Sequence, residues 1–497
     1  MDNTEFDDFS NNGEKFEEMN EKVRFYKREI RNSKKNGNFV PQIELIEELV
    51  EFCIENERFH DALTFVKILI EIKPYSSDTW HKYSLVLFST NRYEEALEAG
   101  LRSLEMNKYD ADIYLNLALI YDQLDKFEEG LKYINKGLEF EPNNEDLIFH
   151  KGIILQNYGL FQETIDLFEY LKDSEYYKKD VYQELAFCYN VFGKFDKSIE
   201  YYNLALELEP TDFNLWYNKA IILSSVQKYL QAIICYENCI ALNDKYFLAY
   251  YNIGNSFAAI GKLNESIEYY KLALNISPND IDTLHSLASS YGDSGNYDLA
   301  ITTFSNILKI KPKHSNSFFG RGICYDAVKQ YDLAVSDFQN SIKYYSKNSE
   351  VWYALGDTYY NINKFNDAQV CYEKVLELDD NNLECVSDLA ELYYELKNYD
   401  KSENLFLKLI TIFPNKSENY LFLSKIHILR DEFKSMMEYF IQGLKIELSK
   451  ILNNTFVEDN INKLVTEQNF SKMFLNDKDL LLNLENYDKL WELNLDF

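Results

Sequence analysis

Small, aromatic and polar residues recur along most of the chain with a period of 34 residues. From Ile43 to Lys450 the sequence divides into twelve consecutive segments of this length, without an insertion or deletion. We number these segments repeats 1 to 12, and the residues within each repeat positions 1 to 34. Position 8 is small in eleven repeats, position 20 is small in ten, and position 17 is aromatic in eleven. Bulky side chains recur at positions 4, 11, 17 and 24, which predicts two amphipathic helices joined by a short turn.

The small residues have a physical reason. Two antiparallel helices can approach closely only where each carries a small side chain, so positions 8 and 20 are expected to mark their contact. Repeat 4 departs from this pattern because position 20 is Thr164 and position 32 is not proline.

Proline and tryptophan follow the same period. Six of the seven prolines fall at position 32, and three of the four tryptophans fall at position 4. Because proline cannot continue a helix, position 32 marks a recurring helix boundary. A fixed period of this length is typical of stacked helix pairs. The residues are Pro74, Pro142, Pro210, Pro278, Pro312 and Pro414, with Trp80, Trp216 and Trp352.

Repeat 10 carries the fullest version of the pattern, in Trp352, Leu355, Gly356 and Tyr359, then Ala368, Tyr372 and the turn near Asp380. This run resembles the tetratricopeptide repeat, whose pattern is W-x2-L-G-x2-Y, then A-x3-F, then P, every 34 residues. The resemblance covers about four fifths of the chain. It implies an all-α fold, a right-handed α-solenoid (superhelix) of about twelve helix-turn-helix repeats. The first helix of each pair would line a concave groove.

The two ends fall outside this array. Residues 1–36 form an acidic and then basic N-terminal arm, which we expect to be partly disordered, with disorder over the first twenty residues. Residues 37–450 form the array, and residues 451–497 are expected to be C-terminal capping helices. The stretch from Asp477 to Phe497 has the spacing of an amphipathic helix, with Asn476 as its N-cap. A dimerisation helix or a partner's anchor is the alternative for this stretch.

Composition narrows the class of partner. The chain has 82 acidic and 51 basic residues, a formal net charge of −31, which disfavours nucleic acid and membrane as partners and favours a basic protein or peptide. The same acidity also serves solubility. The seven cysteines are scattered without a CxxC pair, so we expect buried thiols in a reducing compartment and no metal site. The N-terminus has no secretory signal and no stretch is long enough for a membrane span, which predicts a cytoplasmic protein.

The resemblance also suggests which residues face the groove, since positions 2, 5, 6, 9, 12 and 13 usually do so in this family. Position 5 gives a ring-bearing stripe in repeats 6 to 10: Tyr217, Tyr251, His285, Phe319 and Tyr353. Rigid rings suit peptide binding, and packing between adjacent repeats is the alternative. Positions 6 and 9 give a partial row of asparagines that could bind a peptide backbone: Asn116, Asn218, Asn252 and Asn255.

A second group lies in repeats 10 and 11. Asp357, Asp388 and Glu391 fall at positions 9, 6 and 9, with Tyr360 and Tyr394 at position 12. The sequence therefore predicts an acidic, ring-lined patch that could receive a lysine or arginine.

These features predict a non-catalytic scaffold that binds partner proteins or peptides in the groove, without a cofactor. A carboxylate clamp for acidic C-termini is disfavoured, because Asn255 follows Tyr251 where a lysine would be required. The six histidines are scattered, and no phosphate loop or hydrolase motif occurs. Two alternatives stay open: a regulatory or adaptor subunit of a larger enzyme or assembly complex, and a structural solenoid that self-assembles through its C-terminal helix.

Overall fold

The computed structural model describes residues 16–31, 42–451 and 481–484, and all regular secondary structure in these residues is α-helical. The molecule divides into two compact units, which we call the N-terminal half (Met1–Ala249) and the C-terminal half (Tyr250–Phe497).

In the N-terminal half, residues 16–31 form helix α1. The helices that follow are α2 (Ile43–Glu55), α3 (Phe59–Ile72), α4 (Ser77–Ser89), α5 (Tyr93–Met106), α6 (Ala111–Gln123), α7 (Phe127–Phe140), α8 (Glu145–Asn157), α9 (Phe161–Leu171), α10 (Lys178–Val191), α11 (Phe195–Leu208), α12 (Phe213–Ser225) and α13 (Tyr229–Leu242).

Helix α14 (Phe247–Ala259) begins just before the boundary between the halves. The helices that follow it in the C-terminal half are α15 (Leu263–Ile276), α16 (Ile281–Asp293), α17 (Tyr297–Ile310), α18 (Ser315–Ala327), α19 (Tyr331–Tyr344), α20 (Ser349–Asn361), α21 (Phe365–Leu378), α22 (Leu383–Glu395), α23 (Tyr399–Ile412), α24 (Ser417–Leu429) and α25 (Phe433–Ile451).

These bounds confirm the predicted succession of helix pairs. From α2 onward the first helix of each pair begins at position 1, except α10, which begins one residue early, and every second helix begins at position 17. Repeat 4 departs again, since α9 ends at Leu171, three positions before the usual end.

The two helices of a pair approach each other at positions 8 and 20, as the small residues predict. A Cβ on Gly130, at position 20, would lie 3.2 Å from the carbonyl oxygen of Ala118, at position 8. In repeat 11, Ser402 Oγ donates to the Ala390 carbonyl across the same contact at 2.8 Å. Side chains larger than these would therefore separate the helices.

The ring at position 24 adds a second reason for glycine at position 8. A Cβ on Gly254 would lie 2.5 Å from Tyr270 Cε1, and a Cβ on Gly356 would lie 2.5 Å from Tyr372 Cε1. The aromatic side chain of the second helix thus lies directly over the backbone of the first.

The shared period of tryptophan and proline has a structural cause. Trp80 Nε1 donates to the Pro74 carbonyl at 2.8 Å, and Trp216 Nε1 donates to the Pro210 carbonyl at 2.9 Å. Trp352 makes the same bond to the Ser346 carbonyl at 3.0 Å. Position 4 of one repeat is thereby bonded to position 32 of the preceding repeat.

Both ends of the described chain bury apolar side chains. Helix α1 buries Met19, Val23 and Ile30 in a cluster with repeat 1, so residues 16–20 are helical and differ from the disorder expected for the first twenty residues. Apolar contact stabilises the helix there. Residues 1–15 lie outside the described residues.

At the other end, Leu481 and Leu484 are buried in a cluster with α24 and α25. Residues 481–482 are helical and 483–484 are not, so the single helix expected from Asp477 to Phe497 is interrupted within this stretch. The rest of that stretch and Asn476 lie outside the described residues.

All seven cysteines are buried and unpaired, as expected. Burial raises the pKa of the Cys53 thiol to about 11, so these thiols behave as small apolar side chains. Among the described residues, no helix combines the length and apolar character needed to cross a membrane.

Candidate functional site

The predicted ring stripe at position 5 packs against the ring at position 24 of the same repeat. In the C-terminal half, the ring centroids of Tyr251 and Tyr270 lie 5.9 Å apart, and those of Phe319 and Phe338 lie 6.0 Å apart. His285 contacts Phe304 in the same way, and burial lowers the pKa of its imidazole. These rings are half-buried, so each has a packing role and an exposed edge.

Repeat 6, in the N-terminal half, has the same arrangement. The ring centroids of Tyr217 and Tyr236 lie 5.7 Å apart, and Tyr217 also meets Tyr246 edge to face at 4.9 Å. The position-5 rings thus contact rings of their own repeats, and Tyr353 also donates to Asp388 in the following repeat.

The predicted asparagines occupy different environments. Asn255 Oδ1 accepts a hydrogen bond from the Tyr270 hydroxyl at 2.7 Å, and Asn255 Nδ2 lies 3.5 Å from Asn252 Oδ1. Asn218 is half-buried. Position 6, which is Asn252 in repeat 7, is Gly320 in repeat 9. An asparagine there would collide with the Phe304 ring, so the row of asparagines cannot continue.

Asn116 differs from the prediction, because its side chain is only 2% exposed and is not presented to a ligand. Its Nδ2 donates to Ser84 Oγ at 2.7 Å. Position 24 of the preceding repeat is Gly100, and a Cβ there would lie 2.8 Å from Leu117 Cδ2 and 3.1 Å from Ser84 Oγ.

Repeats 10 and 11 bring most of the predicted acidic patch together. A cavity of about 340 Å³ is lined by Tyr353, Asp357, Tyr360, Asn361, Tyr372, Asp388 and Glu391. Tyr394 is absent from this lining; its ring lies 5.9 Å from Tyr399 and 5.6 Å from Phe422. We call this space the acidic cavity.

Two tyrosine hydroxyls hold the carboxylates in place. Tyr372 donates to Asp357 Oδ1 at 2.6 Å, and Tyr353 donates to Asp388. The Tyr353 and Tyr372 rings also contact each other, with centroids 5.8 Å apart. The carboxylates are thus positioned before any ligand arrives, which lowers the entropic cost of binding.

Burial and mutual repulsion make the cavity carboxyls weak acids. Burial raises the pKa of Asp357 to about 6, although the Tyr372 hydroxyl opposes the rise, and the nearby Asp388 carboxylate contributes to it. Burial also raises the pKa of Asp388 and of Glu391, while attraction to Lys416 opposes both rises. A cation entering the cavity would relieve this repulsion.

The lining has the chemistry of a cation seat, with three carboxylates, three tyrosines and one asparagine. Sequence reasoning missed Tyr372 and Asn361. Asn361 falls at position 13, which the family places in the groove, so it could have been found. Tyr372 falls at position 24, on the second helix, and its role follows only from its contacts. Within the described ranges, no three His, Cys, Asp or Glu side chains are grouped to hold a metal ion.

Comparison with protein families supports the division of the chain into 34-residue repeats. Models described as tetratricopeptide repeat match residues 111–144, 180–212, 201–234, 247–280, 281–314, 349–382 and 384–416. The matches at 111, 247, 281 and 349 begin at position 1 of a repeat.

The chain contains tetratricopeptide repeats.

Three solved structures resemble the chain at low sequence identity. YrrB, described as a protein with an unusual peptide-binding site, is 20% identical over 37% of this chain and 95% of its own, with a TM-score of 0.33. The C-terminal part of a tetratricopeptide repeat protein from Cytophaga hutchinsonii is 20% identical over 48% of this chain and 98% of its own, with a TM-score of 0.44. A chain of the Cut9–Hcn1 structure is 11% identical over 86% of this chain and 97% of its own, with a TM-score of 0.39. No curated protein matches the chain.

Proposed function

We propose that this tetratricopeptide repeat protein is a scaffold that binds a segment of a partner protein along the first helices of its repeats. In the C-terminal half, the acidic cavity receives a lysine or arginine side chain of that segment. The protein acts by binding rather than by catalysis, and the buried thiols suit a reducing compartment such as the cytoplasm.

The observation that carries this proposal is the convergence of Asp357, Asp388 and Glu391 on one ring-lined space. None of the described residues that line the cavity is basic, although the charge of nearby Lys416 acts on Asp388 and Glu391. A guanidinium or ammonium group there would meet both carboxylates and aromatic faces, which favours cations over neutral groups. The net charge of −31 favours the approach of a basic partner.

The test compares binding of arginine-containing peptides by the full-length protein and its Asp388→Asn variant, using fluorescence anisotropy. The amide keeps an oxygen that can accept from Tyr353 but removes the charge. We expect affinity to fall about tenfold, as for the loss of one charged partner in a partly buried site.

Glu268→Gln is the matched control, because Glu268 is exposed on α15 and lies outside the cavity. It removes the same charge and should leave affinity almost unchanged. Equal losses in the two variants would show that only the overall charge matters and would rule out the cavity as the seat.

A further inference from the structure

A second, larger cavity opens beside the acidic cavity. It has a volume of about 880 Å³ and shares Asp388 and Glu391 with its neighbour. Its apolar wall comes from Leu383, Leu409, Ile412, Phe413 and Pro414, at the junction of repeats 11 and 12. We call this wall the apolar shelf. Because two residues belong to both linings, one ligand can occupy both spaces.

Two side chains of the apolar shelf are exposed, whereas Leu409 is buried in a core cluster of repeats 11 and 12. Ile412 is 42% exposed and Phe413 is 41% exposed. Large apolar side chains beside a polar rim mark binding surfaces when they are grouped with a concavity.

Charge around the shelf selects the kind of ligand. The second cavity is lined by Glu384, Asp388, Glu391 and Glu418, against Lys416 and Lys450. Lys450 Nζ lies 2.6 Å from Glu447 Oε1, so part of its charge is already compensated. The surface that surrounds the shelf is therefore acidic overall and complements a basic segment.

We propose that the two cavities together bind a partner segment in which a lysine or arginine lies next to a large apolar residue. The basic side chain enters the acidic cavity and the apolar side chain covers Ile412 and Phe413. This inference rests on the proposed function and adds the second anchor. An exposed ion pair alone contributes little affinity, whereas a charged group beside a desolvated apolar contact gives a hot spot.

Lys416 acts as a competitor within the chain. It lines the second cavity together with Asp388 and Glu391, and its charge opposes the rise in pKa that burial causes at both carboxyls. A partner's cation must share these carboxylates with Lys416. Replacing Lys416 with a neutral residue should therefore strengthen the binding of a basic segment.

The experiment uses acetylated and amidated peptides in a Gly/Ser background and measures their affinity for the full-length protein by fluorescence anisotropy. The central pairs are Arg–Leu, Leu–Arg, Arg–Ala and norleucine–Leu. We expect at least one of the two Arg/Leu orders to bind about tenfold more tightly than both single-anchor peptides.

Ile412→Ser removes the proposed apolar anchor. It should reduce the affinity of the preferred Arg/Leu peptide to that of Arg–Ala and leave Arg–Ala unchanged. Ile310→Ser is the matched control, because Ile310 occupies position 30 of repeat 8, as Ile412 does in repeat 11, and is 46% exposed. This control should not change either affinity. Lys416→Gln should tighten the Arg-containing peptides about two- to fivefold and leave norleucine–Leu unchanged.

The outcomes separate this inference from the proposed function. Equal binding of Arg–Leu, Leu–Arg and Arg–Ala would overturn the second anchor while the cation seat stands. Equal binding of norleucine–Leu and the Arg/Leu peptides would overturn the cation seat itself. A dimer in sedimentation that Ile412→Ser dissociates would show that a second copy covers the shelf, which also overturns the inference. Weaker or unchanged binding by Lys416→Gln would contradict its role as a competitor.

Discussion

Tyr372 shows how one residue can serve both the fold and the site. Its ring lies over Gly356 and contacts the Tyr353 ring, and its hydroxyl donates to Asp357. The packing that joins the two helices of repeat 10 thereby also fixes a carboxylate of the acidic cavity. Changes at position 8 or 24 of this repeat should therefore affect stability and binding together.

Ala334 tests the contact between the two helices of a pair. It is fully buried at position 20 of repeat 9, so Ala334→Leu should lower the free energy of unfolding by about 1–3 kcal/mol through overpacking. Urea denaturation followed by circular dichroism measures the change. The neighbouring Leu333 is 49% exposed, and Leu333→Ala should change stability by less than about 0.5 kcal/mol. A neutral result for Ala334→Leu would mean that the helices do not meet there.

The raised pKa of Asp357 predicts how the stability of the folded protein depends on pH. Its pKa in the folded protein is raised from the ordinary 3.8 to about 6, so the protonated carboxyl favours folding. That contribution is fully present below pH 3.8 and is lost as the pH rises through 6. Asp357→Asn should therefore raise stability at pH 7 by about 1 kcal/mol, allowing for solvent screening, with no gain near pH 3.8. Thermal unfolding across this pH range measures the effect, and a gain that persists at low pH would contradict the assigned cause.

At the scale of elements, the turn within each helix pair has one fixed conformation. The residue at position 15 has a positive φ, from 55° at Glu57 to 86° at Gly159. Glycine takes this position in four turns, and other residues take it in eight. The sequence showed turns rich in Gly, Asn and Lys, but it did not show that one position carries the strained backbone.

Gly261 isolates the cost of that backbone. Its φ is +75°, and a Cβ added there would meet no atom within 4 Å. Gly261→Ala should therefore destabilise the protein by about 1 kcal/mol through the backbone alone. Lys329 has a φ of 62° at the same position of repeat 9. Lys329→Gly should therefore raise the stability of the protein, by less than Gly261→Ala lowers it. The melting temperatures of the two variants measure these effects. A shift of the melting temperature in the same direction in both variants would contradict this explanation.

Repeat 4 shows an element that departs from the regular pattern. Thr164 replaces the small residue at position 20 and is fully buried, and its Oγ1 donates to the Leu160 carbonyl at 3.1 Å. The helix α9 ends early, and Tyr177 stacks on Phe149 with centroids 4.4 Å apart before α10 begins. The early end of α9 thus gives repeat 4 a different junction to repeat 5 from those of the other repeats that also lack proline at position 32.

At the scale of the whole molecule, the dominant property is the net charge of −31. Charge of this size draws basic partners over distances up to the Debye length and speeds their association. It acts in addition to the local carboxylates of the acidic cavity, which determine the bound position.

The dependence of binding on salt tests this long-range contribution. Raising NaCl from about 50 mM to about 500 mM should weaken binding of an arginine-containing peptide about tenfold, mainly through slower association. Stopped-flow fluorescence measures both rate constants. The norleucine–Leu peptide is the control and should respond weakly. An association rate that does not change with salt would argue against electrostatic steering.

Most of the fold and part of the site could be predicted from the sequence. The helix pairs, the contact at positions 8 and 20, and the acidic patch of Asp357, Asp388 and Glu391 all follow from residue types that recur at fixed spacing. Asn116 was placed correctly on its helix, but it is buried and donates to Ser84 in the preceding repeat. Spacing alone does not report such contacts.

The sequence by itself determined the period, the helical class and the positions that each helix presents to its partner, because these depend on local sterics and on a pattern repeated many times. Only the tertiary structure decided which polar side chains are buried, which tyrosines hold the carboxylates, and that the acidic cavity adjoins an exposed apolar shelf. Those properties depend on the volume and hydrogen-bonding groups of neighbours far apart in the chain, so they are fixed only when the helices pack.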